Sequence, residues 1–311
     1  MVSRQAQKVI KDLFRNKAVS MQHTEENFAE AMMKARKTAD ETLGMQETDR
    51  RIREICTVAE DNVRGDRFIY DPDDPQKRNH VLLFIHGGAF CNGTVFSRRF
   101  LCAKLCAAGK MDGFAVDYGQ WPQVMHPQGM LDVIQAYKWL RKRYAADQIH
   151  IFGESAGANL AVAAVLYLRD HEEALPESVC VNSPPVIIGT AEKVLKALPS
   201  HVTRWKREPM IVEDFDHLLL PYFRPEDSED CYASIAFADY QGFPRLMVVC
   251  GTEEILYDDA RLLAEKAEQA GVTVACKEYP EMFHVFGMYD IPETDILAED
   301  VATFFFPEGR E

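Results

Sequence analysis

Residues 149–170 read IHIFGESAGANLAVAAVLYLRD: a short apolar run, the turn Gly153-Glu154-Ser155-Ala156-Gly157, then an apolar helical run. A G-x-S-x-G turn between a strand and a helix is sharp, and its two glycines let the backbones cross closely. It lifts the serine into a strained, exposed position. A strand that feeds a helix in this way belongs to a layered α/β architecture, because the helix must pack back on the sheet.

The chain keeps that alternation from about residue 66. VLLFI (81–85), GFAVDY (113–118), IHIFG (149–153), VCVNS (179–183), RLMVVCG (245–251) and TVACKEY (273–279) are expected strands. Their near-continuous apolarity suits a mostly parallel sheet covered on both faces. Helices are expected near 97–108, 127–145, 156–170, 258–270 and 293–306. Residues 186–240 break the rhythm with KREP and then EDFDHLLLPYFRPEDSEDCY, and hold no good strand. The first fifty residues read as two amphipathic helices. One has a stripe of Val9, Ile10, Leu13 and Phe14; the other has Phe28, Met32, Ala35, Ala39 and Leu43, with Thr24 as N-cap and Gly44 past the end. The expected organisation is a helical cap segment at 1–50, an α/β core at 51–185 and 241–311, and a cap insertion at 186–240.

Composition narrows the partners. The 311 residues carry a formal charge of −14 with no dense Lys/Arg run, which disfavours nucleic acid and anionic membrane surfaces. The N-terminus MVSRQAQKVIKDLF lacks a continuous apolar region, so no secretory signal is expected. AVAAVLYL, from Ala161, is too short to span a bilayer. Eight scattered cysteines without a C-x-x-C point to free buried thiols in a reducing compartment. Cys102 and Cys106 lie one helical turn apart, but no paired His/Cys set accompanies them, so no zinc site is expected. A cytoplasmic location is the expectation.

A serine hydroxyl needs a base to act as a nucleophile at neutral pH. Of nine histidines, His284 stands out, in EYPEMFHVFG after the last convincing strand. His23, His80, His171 and His201 read as surface residues and His150 as a strand residue; His126 and His217 are pocket-lining candidates without a direct signal. The base needs an acid to fix its tautomer. CGTEEILYDD, after RLMVVC, offers Glu253, Glu254, Asp258 and Asp259. Position at the strand end favours Glu253 or Glu254, while the aspartates suit the first turn of the next helix. His86-Gly87-Gly88-Ala89-Phe90 directly follows VLLFI and leaves backbone N–H groups uncovered. With the N–H of Ala156, such donors can stabilise an oxyanion. His86 is expected to hold this loop by hydrogen bonds.

These motifs together resemble the hormone-sensitive-lipase-like family of α/β-hydrolase esterases. HGGAF (86–90), GESAG (153–157), EILYDD (254–259) and PEMFHVF (280–286) carry the resemblance, and DYGQWPQVMHP (117–127) is similar to the family's D-Y-x-L-A-P-E-x-x-x-P segment. The resemblance spans roughly residues 65 to 306. It implies Ser155 as nucleophile, His284 as general base and Glu254 in the acid position, where Asp is commoner. It implies oxyanion donors at Gly87, Gly88 and Ala156, and a loop-anchoring role for Glu154. Gly119, Gln120, Trp121 and Gln123 depart from the family pattern, while Pro122 keeps it.

The implied activity is hydrolysis of short- to medium-chain carboxylic esters through an acyl-enzyme, without metal or organic cofactor. The expected partner is a small-molecule ester, and a homodimer is an expected assembly for relatives of this kind. Phe14, Met32, Trp205 and Phe215 are read first as the core of the cap and second as acyl-pocket lining. Two rivals stand beside this: an amidase or formamidase using the same residues, and a non-catalytic ligand-binding homologue, which would lack the histidine.

Overall fold

The computed structural model describes residues 2–20, 28–189, 196, 198–211 and 220–307. Thr24, His23, Phe215 and His217 lie outside the described residues. Eight strands form one sheet: β1 (Ile52–Glu60), β2 (Val63–Tyr70), β3 (Val81–Ile85), β4 (Asp112–Val116), β5 (Ile149–Glu154), β6 (Ser178–Asn182), β7 (Arg245–Gly251) and β8 (Val274–Tyr279). Their order is β1-β2-β4-β3-β5-β6-β7-β8. β1 and β2, and β2 and β4, pair antiparallel; every other pair is parallel.

The strands expected from residue 81 onward are present within two residues of their expected bounds. β1 and β2 were not among the expected strands. They form a hairpin whose turn residues, Asp61 and Asn62, have φ of 54° and 64°. Both central residues at positive φ give the tight turn that matches strand twist, and Asp and Asn tolerate it.

The uninterrupted apolarity of the strands has a direct structural meaning. Along β3, Val81, Leu83 and Ile85 enter one apolar layer, and Leu82 and Phe84 the other. β7 divides likewise, Leu246, Val248 and Cys250 against Met247 and Val249. Helices cover both faces. α4 (Gln128–Leu140), α5 (Ala156–Asp170) and α7 (Tyr257–Gln269) fill the first layer. α3 (Val95–Gly109) and α8 (Pro292–Phe305) fill the second, where Phe84 stacks on Phe152 of the neighbouring strand at 5.6 Å. Each such fully buried aromatic contributes about 1.5–3 kcal/mol.

Two further pieces pack outside these layers. α1 (Arg4–Ser20) is tied to α8 through Ser3, whose amide and hydroxyl donate to Glu293 at 2.7 and 2.8 Å. α2 (Phe28–Thr42) lies beside α3, with Asp40 accepting from the N-cap residue Thr94. Between β6 and β7, the described residues of the insertion form α6 (Ser200–Thr203) and short 3-10 turns at 220–222, 225–229 and 235–237, with no strand among them. Trp205 packs on the core, and Phe14 is exposed on α1.

Candidate active site

Ser155 sits between β5 and α5 at φ 51°, ψ −123°, a conformation that L-residues rarely adopt. The glycines around it are required by close approach. A Cβ on Gly153 would lie 2.4 Å from the Gly157 carbonyl oxygen, and one on Gly157 would lie 2.2 Å from the Ile85 oxygen. The Ser155 amide donates to the Asn182 carbonyl at 2.8 Å, fixing the turn to the end of β6.

His284 follows β8 and faces this serine, its Nε2 2.9 Å from Ser155 Oγ. Both residues are 4% exposed. Burial lowers the imidazole pKa from the ordinary 6.5 to about 3, with a smaller contribution from nearby Arg98. The ring is therefore held neutral, the form that accepts a proton.

Of the four acids considered, Glu254 faces the histidine. Its Oε2 is 3.9 Å from His284 Nδ1, an ion-pair distance beyond hydrogen-bond range. It also accepts the Ser183 hydroxyl at 2.7 Å. Burial pushes the Glu254 carboxyl well above its ordinary range, and the Ser183 bond opposes that shift. Glu253 turns outward, 3.4 Å from Arg207. Asp258 accepts the Ser200 amide at 2.7 Å. Asp259 is buried against His201, 2.7 Å from its Nε2. His201 is thus buried, not the surface residue expected. His126 lies 2.9 Å from Asp230, and His150 lies within β5.

The amides of the HGGAF loop differ in their partners. The Gly87 amide donates to Glu154 Oε1 at 3.2 Å, so it is already engaged. Gly87 is required there by packing, since a Cβ would lie 2.9 Å from the Glu154 carbonyl oxygen. Gly88 and Ala89 are half-buried at φ 128° and 52°, and among the described residues their amides find no protein acceptor. Ala156 is the first residue of α5, where amides lack intrahelical partners.

Supporting residues brace this loop. His86 Nδ1 is 2.8 Å from the Gly87 carbonyl oxygen, and the ring stacks on Tyr118, whose hydroxyl donates to the His86 carbonyl at 2.8 Å. Glu154 is fully buried and paired with Arg98 of α3. Gln120 donates to the Asn92 carbonyl at 2.8 Å, and the Trp121 amide donates to that of Phe90 at 2.9 Å. Two of the residues that depart from the family pattern, Gln120 and Trp121, therefore still support the loop. Sequence reasoning missed Ser183, at φ 56° after β6, and Glu208. The only available signals were the Ser-Pro-Pro at the end of β6 and the proline after Glu208. Among the described residues no His/Cys/Asp/Glu group is arranged to hold a metal, and no helix is long and apolar enough to cross a membrane.

Residues 82–288 match the alpha/beta hydrolase fold family. The chain is 35% identical over 211 residues to an acetyl-hydrolase from Streptomyces hygroscopicus, covering 67% of this chain and 69% of that one. It is 31% identical over 227 residues to an esterase from Acinetobacter venetianus, covering 72% and 74%. A crystal structure of an esterase from the bacterial hormone-sensitive lipase family superposes with a TM-score of 0.86 at 25% identity, covering 98% of each chain. With the elbow serine and the sheet order already described, this chain belongs to the alpha/beta hydrolase fold family. Within that family it is a carboxylic ester hydrolase of the hormone-sensitive-lipase-like kind.

Proposed function

We infer that the protein cleaves short- to medium-chain carboxylic esters, acetyl esters among them, by acyl transfer through Ser155, His284 and Glu254. The observation that carries this reading is the 2.9 Å approach of His284 Nε2 to the hydroxyl of an elbow serine. The names of the relatives, acetyl-hydrolase and esterase, support the ester class.

His284 Nε2 takes the Ser155 proton as Oγ bonds to the ester carbonyl carbon. The carbonyl oxygen becomes an oxyanion beside the amides of Gly88, Ala89 and Ala156. This reading moves one donor role from Gly87, whose N–H faces Glu154, to Ala89. The intermediate collapses as the C–O bond to the alcohol breaks, and His284 returns its proton to the departing alkoxide. Water then repeats the sequence on the acyl-enzyme, releasing the acid and restoring Ser155. Glu254 stabilises the transient imidazolium. The enclosure of Ser155, 4% exposed, favours small acyl groups. Free thiols on Cys91, Cys102, Cys106, Cys180 and Cys250, all buried, support a reducing compartment such as the cytoplasm.

The test is turnover of p-nitrophenyl esters from acetate to decanoate by wild type and Ser155→Ala. Turnover greatest at short chains and abolished in Ser155→Ala is expected. Turnover that persists in Ser155→Ala, or no turnover of any ester, overturns the reading.

A further inference from the structure

The insertion reaches both catalytic loops through one short stretch. α6 and the turn after it rest on the loop between β7 and α7 and on the first turn of α7. The Ser200 amide donates to Asp258 at 2.7 Å, and its hydroxyl to the Ile255 carbonyl at 2.6 Å. His201 pairs with Asp259, and Arg207 with Glu253. That loop carries Glu254. From the same turn, Glu208 crosses to the other loop. Its Oε2 accepts the His284 N–H at 3.0 Å, and its Oε1 accepts the Met210 N–H at 2.7 Å.

Glu208 is fully buried and has no part in the acyl-transfer steps. A carboxylate taken out of water is costly unless its oxygens are satisfied. Here they meet two amide donors, one from its own turn and one from the catalytic histidine. The histidine loop needs such holding. Val285 sits at φ 45°, a strained conformation for a β-branched residue that persists only where the surroundings impose it. The Val285 amide donates to Ser183 Oγ at 3.3 Å, so the core grips one side of the loop and the insertion grips the other.

We propose that Glu208 is a positioning residue: it fixes His284 through its backbone and so couples the placement of the cap insertion to the reach of the catalytic base. This rests on the Ser155–His284 reading. Loss of the grip lets the loop relax and carries the imidazole away from Ser155.

The test compares wild type, Glu208→Ala, Glu208→Gln, Glu208→Asp and Ser155→Ala on p-nitrophenyl acetate. Glu208→Ala is expected to lower kcat about 10- to 100-fold with KM within about twofold, as a misplacement near 1 Å does. Glu208→Gln keeps an oxygen for the His284 amide and returns to within about fivefold of wild type. Glu208→Asp is one methylene too short and stays slow. A wild-type kcat in Glu208→Ala, a change confined to KM, or Glu208→Asp faster than Glu208→Gln overturns the role. Should Glu208→Ala not fold, the order of the other two variants decides. An inactive wild type or an active Ser155→Ala overturns the esterase reading itself. A Ser155-dependent wild type with a normal Glu208→Ala overturns only the positioning role.

Discussion

The Ser183 hydroxyl approaches Glu254 Oε2 to 2.7 Å, closer than the His284 ring at 3.9 Å. Ser183 Oγ in turn accepts the Val285 amide at 3.3 Å, so one serine at the end of β6 touches the acid and the loop of the base. Ser183→Ala removes both contacts from a buried site, where each lost hydrogen bond costs about 1–3 kcal/mol. We expect kcat to fall about tenfold and the melting temperature to drop by several degrees. Steady-state kinetics and calorimetry check this, and unchanged kcat would count against it.

The two adjacent glutamates should behave differently. Glu254→Gln removes the carboxyl group that faces His284 Nδ1 at 3.9 Å, so kcat should fall about 10²-fold or more. Glu253 is paired with exposed Arg207 at the surface, where such pairs contribute about 0–1 kcal/mol. Glu253→Gln should therefore keep kcat within twofold. Reversed behaviour of the two variants would move the acid role to Glu253.

Burial holds His284 neutral, with its pKa lowered from 6.5 to about 3. A lowered pKa keeps the base unprotonated further into acid, so the acid limb of kcat/KM should lie well below pH 6.5. A profile between pH 4 and 9 tests this; half-maximal activity near 6.5 would contradict it. Burial also lowers His86 and His150 to about 3. Below pH 6.5 the unfolded chain binds protons that these histidines refuse in the folded state, so their contribution to stability is present above 6.5. It is lost as pH falls toward 3, by up to about 1.4 kcal/mol per histidine per pH unit. Glu254, shifted upward, opposes this in part. The melting temperature should decline through that window.

Arg98 and Glu154 form a buried ion pair beneath the oxyanion loop. Arg98→Met strands the carboxylate that also accepts the Gly87 amide. Breaking such a pair on one side costs about 3–5 kcal/mol. We expect a melting temperature lowered by roughly 10 °C, together with reduced kcat from a loosened loop. Thermal unfolding at one protein concentration measures it, and a stable variant would deny the pair its structural role.

Legibility in the sequence followed the strength of each local pattern. Strands buried on both faces announced themselves: VLLFI and RLMVVCG have no polar side to confuse the period. β1 and β2 did not, because IREICTVAE and VRGDRFIY mix charge with apolar residues, and β1 lies at the sheet edge. The Asp61-Asn62 turn was the available clue. Ser155 and His284 were legible because chemistry restricts which residues can serve and the fold restricts their order. Glu254 was singled out only by the family's spacing; it lies 3.9 Å from His284 Nδ1. Gly87 and Ala89 could not be told apart, because which amide stays open depends on where the buried Glu154 points. Ser183, Glu208 and the His201–Asp259 pair act through contacts between distant segments, which leave no periodic trace in either one.

Ser155 and His284 meet across 129 residues of sequence, and Ser183 and Glu254 across 71. Each group stands at the end of a different neighbouring strand, so none of these contacts exists until the parallel half of the sheet has closed. Loop-closure entropy makes such pairings late events in folding. Hydrolytic turnover is consequently a reporter of global assembly. It should return on refolding only with the last strands to dock, and a chain with native secondary structure but an unfinished β7–β8 edge should be catalytically silent.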